Sequence, residues 1–99
     1  MSDTDLHVVA TIPVKPEAVE EVRAALATLV AATQAEEGCL RYDAYESASA
    51  PGTFVTVETW RAQADLDAHM KTPHIAAAFG VLEGKLAGDV AIHPLTPLS

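Results

Sequence analysis

The order in which strand-like and helix-like segments follow one another constrains this fold more than any other feature of the sequence. Residues 6–12 alternate apolar side chains with period two, as a strand does, and residues 16–36 repeat them every three or four positions, as a helix does. Gly38 lies where that helix is expected to be capped. Residues 39–47 and 54–61 then predict two strands joined by a turn, so the chain begins β-α-β-β.

The remaining residues add a second helical region and a last strand. A helix is predicted over 64–71, the Thr-Pro pair at 72–73 breaks it, and a further helix runs toward Gly88, the expected second C-cap. Residues 90–93 alternate again as a strand. The complete order β-α-β-β-α-β predicts a ferredoxin-like α+β fold, in which an antiparallel sheet carries its helices on one face.

The third predicted strand carries bulky side chains on both of its faces. Phe54 and Trp60 point to one side, and Val55 and Val57 point to the other. A sheet with one face in water would alternate more cleanly between apolar and polar residues, and the helices can cover only one face. A bare four-stranded face would also exceed the apolar patches that monomers usually expose. We therefore expect a homodimer that pairs through the sheet face with two-fold symmetry, because such a contact closes on itself.

The net charge and the cysteine content limit which binding partners and which cellular compartment are expected for this protein. Acidic residues outnumber Lys and Arg by 14 to 6, and the net charge of −8 disfavours nucleic acid and anionic membranes as partners. No linker or repeat divides the chain, so a single domain over 1–99 is predicted, with its core at about 6–95. The polar segment at 1–5 lacks the pattern of an export signal, and no apolar stretch reaches the length of a membrane span. We expect a cytoplasmic protein, with the single Cys39 as a small buried side chain.

Four short segments fall at a spacing that is typical of one family. They are Gly38-Cys39-Leu40-Arg41-Tyr42, Glu58-Thr59-Trp60, Leu66-Asp67-Ala68-His69 and Thr72-Pro73-His74. Together they resemble the antibiotic biosynthesis monooxygenase (ABM) domain family over about residues 8–92, and they look closest to its small quinol-monooxygenase-like members.

The resemblance implies a dimeric α+β barrel with a pocket between the helices and the sheet. In such proteins the pocket oxidises a small quinol, phenol or polyketide-like aromatic with O2, and no metal, flavin or haem takes part. The residues agree with this, because they include no paired cysteines, no Gly-rich phosphate loop and no helix with histidines at i and i+4. We expect a cofactor-independent monooxygenase whose partners are a second copy of the chain, a small aromatic substrate and O2.

Chemistry without a cofactor requires a base that removes a proton from the substrate, and Glu58 is the first candidate for this catalytic role. Glu58 shares its strand face with Thr56 and Trp60, which are predicted to contact the substrate from the same wall. The alternative is a structural carboxylate that pairs with Arg41 or Arg61. Both interpretations stay open at the level of sequence.

His69 is the second candidate catalytic residue. A histidine has an ordinary pKa of about 6.5, which suits proton transfer at neutral pH. His74 follows the break at 72–73 and is predicted to contact the substrate, together with Phe79 and Leu66. The break leaves the relative direction of the two histidines undetermined, so a metal site is not predicted. Their alternative role is that of structural histidines at helix ends.

Two other classes of function remain open. One is an isomerase or other processing enzyme of a small signalling metabolite, since fold alone does not fix function. The other is a non-catalytic dimeric ligand-binding module, which is favoured if Trp60, Phe79 and Leu66 fill the interior and leave no cavity. Haem degradation ranks lower, because residues 76–78 are alanines where the haem-degrading relatives that this chain resembles carry a His ligand.

Overall fold

The computed structural model describes residues 5–98, so the acidic segment at 1–5 lies outside it except for Asp5. The elements are β1 (Leu6–Pro13), α1 (Val19–Gln34), β2 (Cys39–Glu46), β3 (Thr53–Trp60), α2 (Gln63–His69), α3 (Pro73–Leu82) and β4 (Ala91–Pro94). The sheet order is β2-β3-β1-β4, and all neighbouring strands are antiparallel. This is the ferredoxin-like arrangement, which confirms the predicted fold. None of the helices within 5–98 combines the length and the apolar character that a membrane crossing needs.

Helix α1 packs on the sheet through one apolar stripe. Pro16 opens a short 3-10 turn, Pro16–Ala18, that leads into the helix. Val22, Leu26, Leu29 and Thr33 then recur every three or four positions and are all buried. Each of the buried Val and Leu side chains contributes about 1.5–3 kcal/mol relative to full exposure. The stripe therefore fixes which side of α1 faces the sheet.

A single threonine organises the break between α2 and α3. The Thr72 hydroxyl accepts a hydrogen bond from the backbone N–H of Ile75 at 3.3 Å and donates one to the carbonyl of His69 at 2.8 Å. Pro73 occupies the first helical position, where no N–H donor is needed. The predicted N-cap is confirmed, and the two bonds hold the end of α2 against the start of α3.

Neither glycine that the sequence suggests as a C-cap serves as one. Helix α1 ends at Gln34, well before Gly38, and the left-handed backbone after α3 is taken by Gly84, with φ of 77°, instead of Gly88. Tight i to i−3 bonds close α1 earlier, such as the one from the N–H of Glu36 to the carbonyl of Thr33 at 3.0 Å. Gly38 is required for a different reason, because a Cβ there would overlap the side chain of Asp65.

The two faces of the sheet have different surroundings. The inner face carries all three helices and includes Val8, Phe54 and Trp60, each at most 3% exposed. The outer face, which holds Val9 and Val57 opposite each other, has no helix on it, and both valines are only half-buried. The prediction that the helices share one face is confirmed.

Candidate active site

A cavity of about 50 Å³ lies between the inner face of the sheet and the helices. Most of its wall is aliphatic and comes from β1, the helices and the last strand: Ala10, Ile12, Leu26, Leu29, Leu66, Ile75, Ala78, Leu82, Val90 and Ile92. Its polar lining residues are Tyr42, Thr56, Glu58 and His69, and the wall contains neither Lys nor Arg. One water needs about 10–15 Å³ by the same kind of measure, so there is room for a small organic group.

Apolar side chains also mark the edge of this cavity. Met70, Phe79 and Ile92 line it while remaining 39%, 41% and 43% exposed. Large apolar side chains that stay exposed beside a cavity are typical of a binding site rather than of a closed core. Phe79 and Leu66, which are predicted to contact the substrate, both line this space without filling it.

Glu58 is a buried carboxylate held by neutral donors. It is 5% exposed, and its two oxygens accept hydrogen bonds from the Thr56 hydroxyl at 2.7 Å and from the Trp60 indole N–H at 2.9 Å. The alternative of a pair with Arg41 or Arg61 is wrong, because Arg41 pairs with Asp43 and Arg61 pairs with Asp65 instead. A carboxylate has about four lone-pair sites, so Glu58 can accept further donors from a ligand.

Trp60 lies behind the cavity wall instead of forming it. It is fully buried, and its ring packs 4.7 Å from the His69 ring and edge-on to Tyr42 at 6.3 Å. Trp60 is predicted to contact the substrate, but it is not among the residues that line the cavity. Its role in the site is to donate to Glu58 and to support His69.

Glu36 joins the two candidate histidines. Its Oε2 lies 2.6 Å from Nδ1 of His69 and 2.7 Å from Nε2 of His74. The side chains are 16%, 2% and 23% exposed, respectively, so His69 is the innermost of the three. His69 lines the cavity and His74 does not, which differs from the predicted contact of His74 with the substrate.

The sequence interpretation missed Glu36. Glu36 follows the buried Thr33 by three positions, so it continues the inward stripe of α1 beyond the end of the helix. That spacing distinguishes it from its neighbour Glu37, whose side chain is 89% exposed. A search that extended the stripe past the helix end would have found it.

The same three residues could offer ligands to a metal ion. One ligand atom from each of Glu36, His69 and His74 lies within 4.8 Å of the others. Tetrahedral zinc with bonds of about 2.0–2.1 Å holds its ligand atoms roughly 3.3 Å apart. The separations of 2.6 and 2.7 Å are hydrogen-bond lengths, so a metal ion would have to widen both of them. The cluster as it stands is closed by direct hydrogen bonds.

Two further groups near the site are held in their protonated forms. Burial raises the pKa of the Tyr42 hydroxyl well above its ordinary value, and the negative charge of Glu58 acts in the same direction. Burial likewise raises the pKa of the Cys39 thiol to about 11, with Glu36 as the next cause. Tyr42 is therefore a hydroxyl donor in the cavity wall at neutral pH, and Cys39 is a poor nucleophile.

The other polar side chains weighed in the sequence lie away from the cavity. Tyr45 is 51% exposed, as its parity relative to the buried Tyr42 requires. His7 is on the outer face, where its Nδ1 lies 3.2 Å from Thr59 Oγ1, and His93 pairs with Val9 on the same face.

The protein thus combines a ferredoxin-like α+β fold with an apolar cavity whose wall contains a carboxylate and an imidazole, Glu58 and His69. Comparison with known proteins gives the particular family. The model of the antibiotic biosynthesis monooxygenase family matches residues 5–80, and the chain belongs to that family.

Other proteins are similar to this chain both in sequence and in structure. The chain is 36% identical to Rv0793 of Mycobacterium tuberculosis, a protein provisionally named a monooxygenase, over 92% of this chain and 89% of that protein. The solved structure of Rv0793 superposes with a TM-score of 0.87 and covers 96% of each chain. PA3566 of Pseudomonas aeruginosa superposes with a TM-score of 0.89 at 33% identity, covering 100% of this chain and 99% of that one.

Proposed function

We propose that this protein is a cofactor-independent monooxygenase that oxidises a neutral quinol or phenol with O2 in the inner cavity. Membership of the family and the provisional names of its relatives support a monooxygenase-like activity. The choice of a neutral aromatic substrate is supported by the residues of the cavity.

The observation that carries this proposal is the chemistry of the cavity wall. Glu58 and His69 both line an apolar cavity whose lining residues include no Lys or Arg. A carboxylate in such a place repels an anionic ligand and leaves it without a counter-charge. A neutral aromatic hydroxyl, in contrast, satisfies a free lone pair of Glu58 and buries its ring against the aliphatic wall.

The same groups suit the first step of oxidation by O2. Removal of the hydroxyl proton converts the substrate into an electron-rich anion, which then reduces oxygen without help from a cofactor. A quinol supplies all four electrons when one oxygen atom enters the product and the other leaves as water. The protein has to bind the ring, accept the proton and keep the site apolar, and Glu58 or His69 is the proton acceptor.

The alternative of a filled, non-catalytic interior receives no support from the cavity, since Leu66 and Phe79 line open space. An isomerase would use the same acid–base groups but would consume no oxygen, so oxygen uptake separates it from the proposed enzyme.

Oxygen uptake with a panel of neutral hydroquinones tests the proposal. We expect uptake by the wild-type protein above that of heat-denatured protein, and a fall of about 10²-fold or more in Glu58→Gln, which loses the charge but keeps a hydrogen-bonding side chain. Glu17→Gln removes an exposed carboxylate outside the cavity and should leave the rate unchanged. A carboxylated hydroquinone should be a poor substrate.

Absence of uptake with every neutral hydroquinone would contradict the proposed oxidation. Equal rates in wild type and Glu58→Gln would instead remove Glu58 from the reaction and leave His69 as the acceptor to test.

We also propose that the working form is a homodimer joined through the outer face. The half-buried Val9, Val55 and Val57 run across the two central strands of that face, and no helix covers them. A second copy would remove these side chains from water at both of its equivalent surfaces.

A further inference from the structure

We propose that Glu36 is a positioning residue that holds His69 in the tautomer with the proton on Nδ1, so that Nε2 presents its lone pair to the cavity as the proton acceptor. This assignment of the acceptor rests on the proposed function, whereas the tautomer itself does not.

One oxygen of Glu36 is shared by the two histidines. Two ring nitrogens, Nδ1 of His69 and Nε2 of His74, lie within 2.6–2.7 Å of the same Oε2. An ionised carboxylate oxygen only accepts hydrogen bonds, so both nitrogens must carry hydrogen. Such charge-assisted bonds are short, as these are. The hydrogen bond at one ring nitrogen determines the role of the other, so Nε2 of neutral His69 is the nitrogen with a free lone pair.

Nδ1 of the His69 ring makes the hydrogen bond with Glu36, and within residues 5–98 its Nε2 atom makes none. Over residues 5–98, Thr33 Oγ1 is the one side-chain polar atom that is sealed from open space without a partner. Nε2 of His69 therefore borders open space, and the open space beside this 2%-exposed side chain is the cavity that it lines.

The surroundings hold the ring in this orientation. Trp60 packs at 4.7 Å and Tyr42 at 5.5 Å from the His69 ring, which leaves little freedom to rotate. His74 donates to the same oxygen of Glu36 and restrains the carboxylate from the other side. An imidazolium formed when Nε2 accepts a proton would keep the adjacent carboxylate of Glu36 as its counter-charge.

This arrangement assigns different roles to the buried carboxylate of Glu58 and the half-buried carboxylate of Glu36. Glu58 lines the cavity and can bind the substrate hydroxyl directly, whereas Glu36 acts through His69 and does not line the cavity. Loss of Glu36 is expected to lower kcat far more than it changes KM, because the apolar wall and Glu58 remain.

The tautomer is measured on the full-length 15N-labelled protein by long-range 1H–15N correlation, without any substrate. We expect His69 to show a protonated Nδ1 and an unprotonated Nε2 in the wild type. Glu36→Gln should weaken this pattern, because its amide oxygen is a neutral and weaker acceptor and its NH2 group can donate to Nδ1 of His69 instead. Glu37→Gln alters the neighbouring, exposed carboxylate and should retain it.

Steady-state oxygen uptake supplies the second readout. We expect kcat of Glu36→Gln to fall by about 10²-fold, with KM within about twofold, if His69 is the acceptor. A wild-type His69 protonated on Nε2 would overturn the inference, and so would a Glu36→Gln variant with unchanged tautomer and unchanged kcat. The expected tautomer without oxygen uptake in the wild type would overturn the proposed function alone.

Discussion

The buried carboxylate of Glu58 and the half-buried carboxylate of Glu36 are held without an Arg or Lys partner among the residues described. Strand parity predicted that Glu58 faces inward, and its burial confirms this. The alternative of an Arg41 or Arg61 partner is wrong, because the donors lie on the same strand face two positions away on either side, in Thr56 and Trp60. Spacing on a strand predicts which side chains share a face, but it does not predict which of them form hydrogen bonds.

Cys39 provides a test of the electrostatics at the scale of one residue. Since burial raises its pKa to about 11, roughly 0.1% of the thiol is ionised at pH 8, and alkylation by iodoacetamide should be slow. The rate should increase about tenfold per pH unit between pH 8 and pH 10 while the protein stays folded. Cys39 is the single thiol of the chain, so mass spectrometry of the intact protein reports it directly.

The same shift has a defined sign for stability. The neutral thiol is favoured in the folded state, so its contribution is complete below the unfolded pKa of about 9 and is lost as the pH rises toward about 11. Cys39 is half-buried rather than buried as the sequence predicted, and rapid and complete alkylation of the folded protein at pH 7 would contradict the raised pKa of its thiol.

Helix α1 contains a buried hydroxyl that its packing does not satisfy. Thr33 is 0% exposed and its Oγ1 has no hydrogen-bond partner. Replacement by Val keeps the branched shape and removes the desolvated hydroxyl, so Thr33→Val should raise the free energy of unfolding by about 1–3 kcal/mol. Thr28→Val, on the exposed side of the same helix, is the matched control and should change it by less than about 0.5 kcal/mol. Urea unfolding curves measure both, and a destabilised Thr33→Val would show that the hydroxyl has an unseen partner.

The presence of each helix and strand was more predictable from the sequence than the residue at which it ends. Period-two and period-3.6 patterns located the strands and helices. The N-cap of α3 was also predictable, because Thr72 and Pro73 are residue types that favour the start of a helix. The end of α1 was not predictable from Gly38, because that glycine is required by the side chain of Asp65, which is distant in sequence. The turn that results points Glu36 toward His69 and His74, so the central contact of the candidate site depends on tertiary packing.

The sequence predicted that the helices cover one face of the sheet, but it did not predict the position of the cavity. His74 and Trp60 lie close to the cavity in sequence and in space, yet both stand behind its wall. Which side chains reach the open space depends on how α2, α3 and the last strand meet, and no local pattern encodes that junction. The charge of −8, in contrast, is a property of the sequence itself, and it acts on any assembly of two chains.

The proposed dimer can be tested at the centre of the outer face. Val57→Glu places a charge on a half-buried position of the outer face, and a sheet-to-sheet dimer would bury one such charge from each subunit without a cationic partner. Sedimentation should find the wild type at twice the 10.4 kDa chain mass, and the dissociation constant of the variant should rise by about 10²-fold or more. Ala31→Glu adds the same charge on the exposed side of α1 and controls for net charge. Each chain has a net charge of −8, so two subunits repel each other. Raising the ionic strength to about 0.15 M should screen this repulsion and lower the dissociation constant of the wild-type dimer. A wild-type protein that sediments as a single chain at micromolar concentration in this buffer would contradict the dimer, and the outer face would then be a surface that the protein exposes to water.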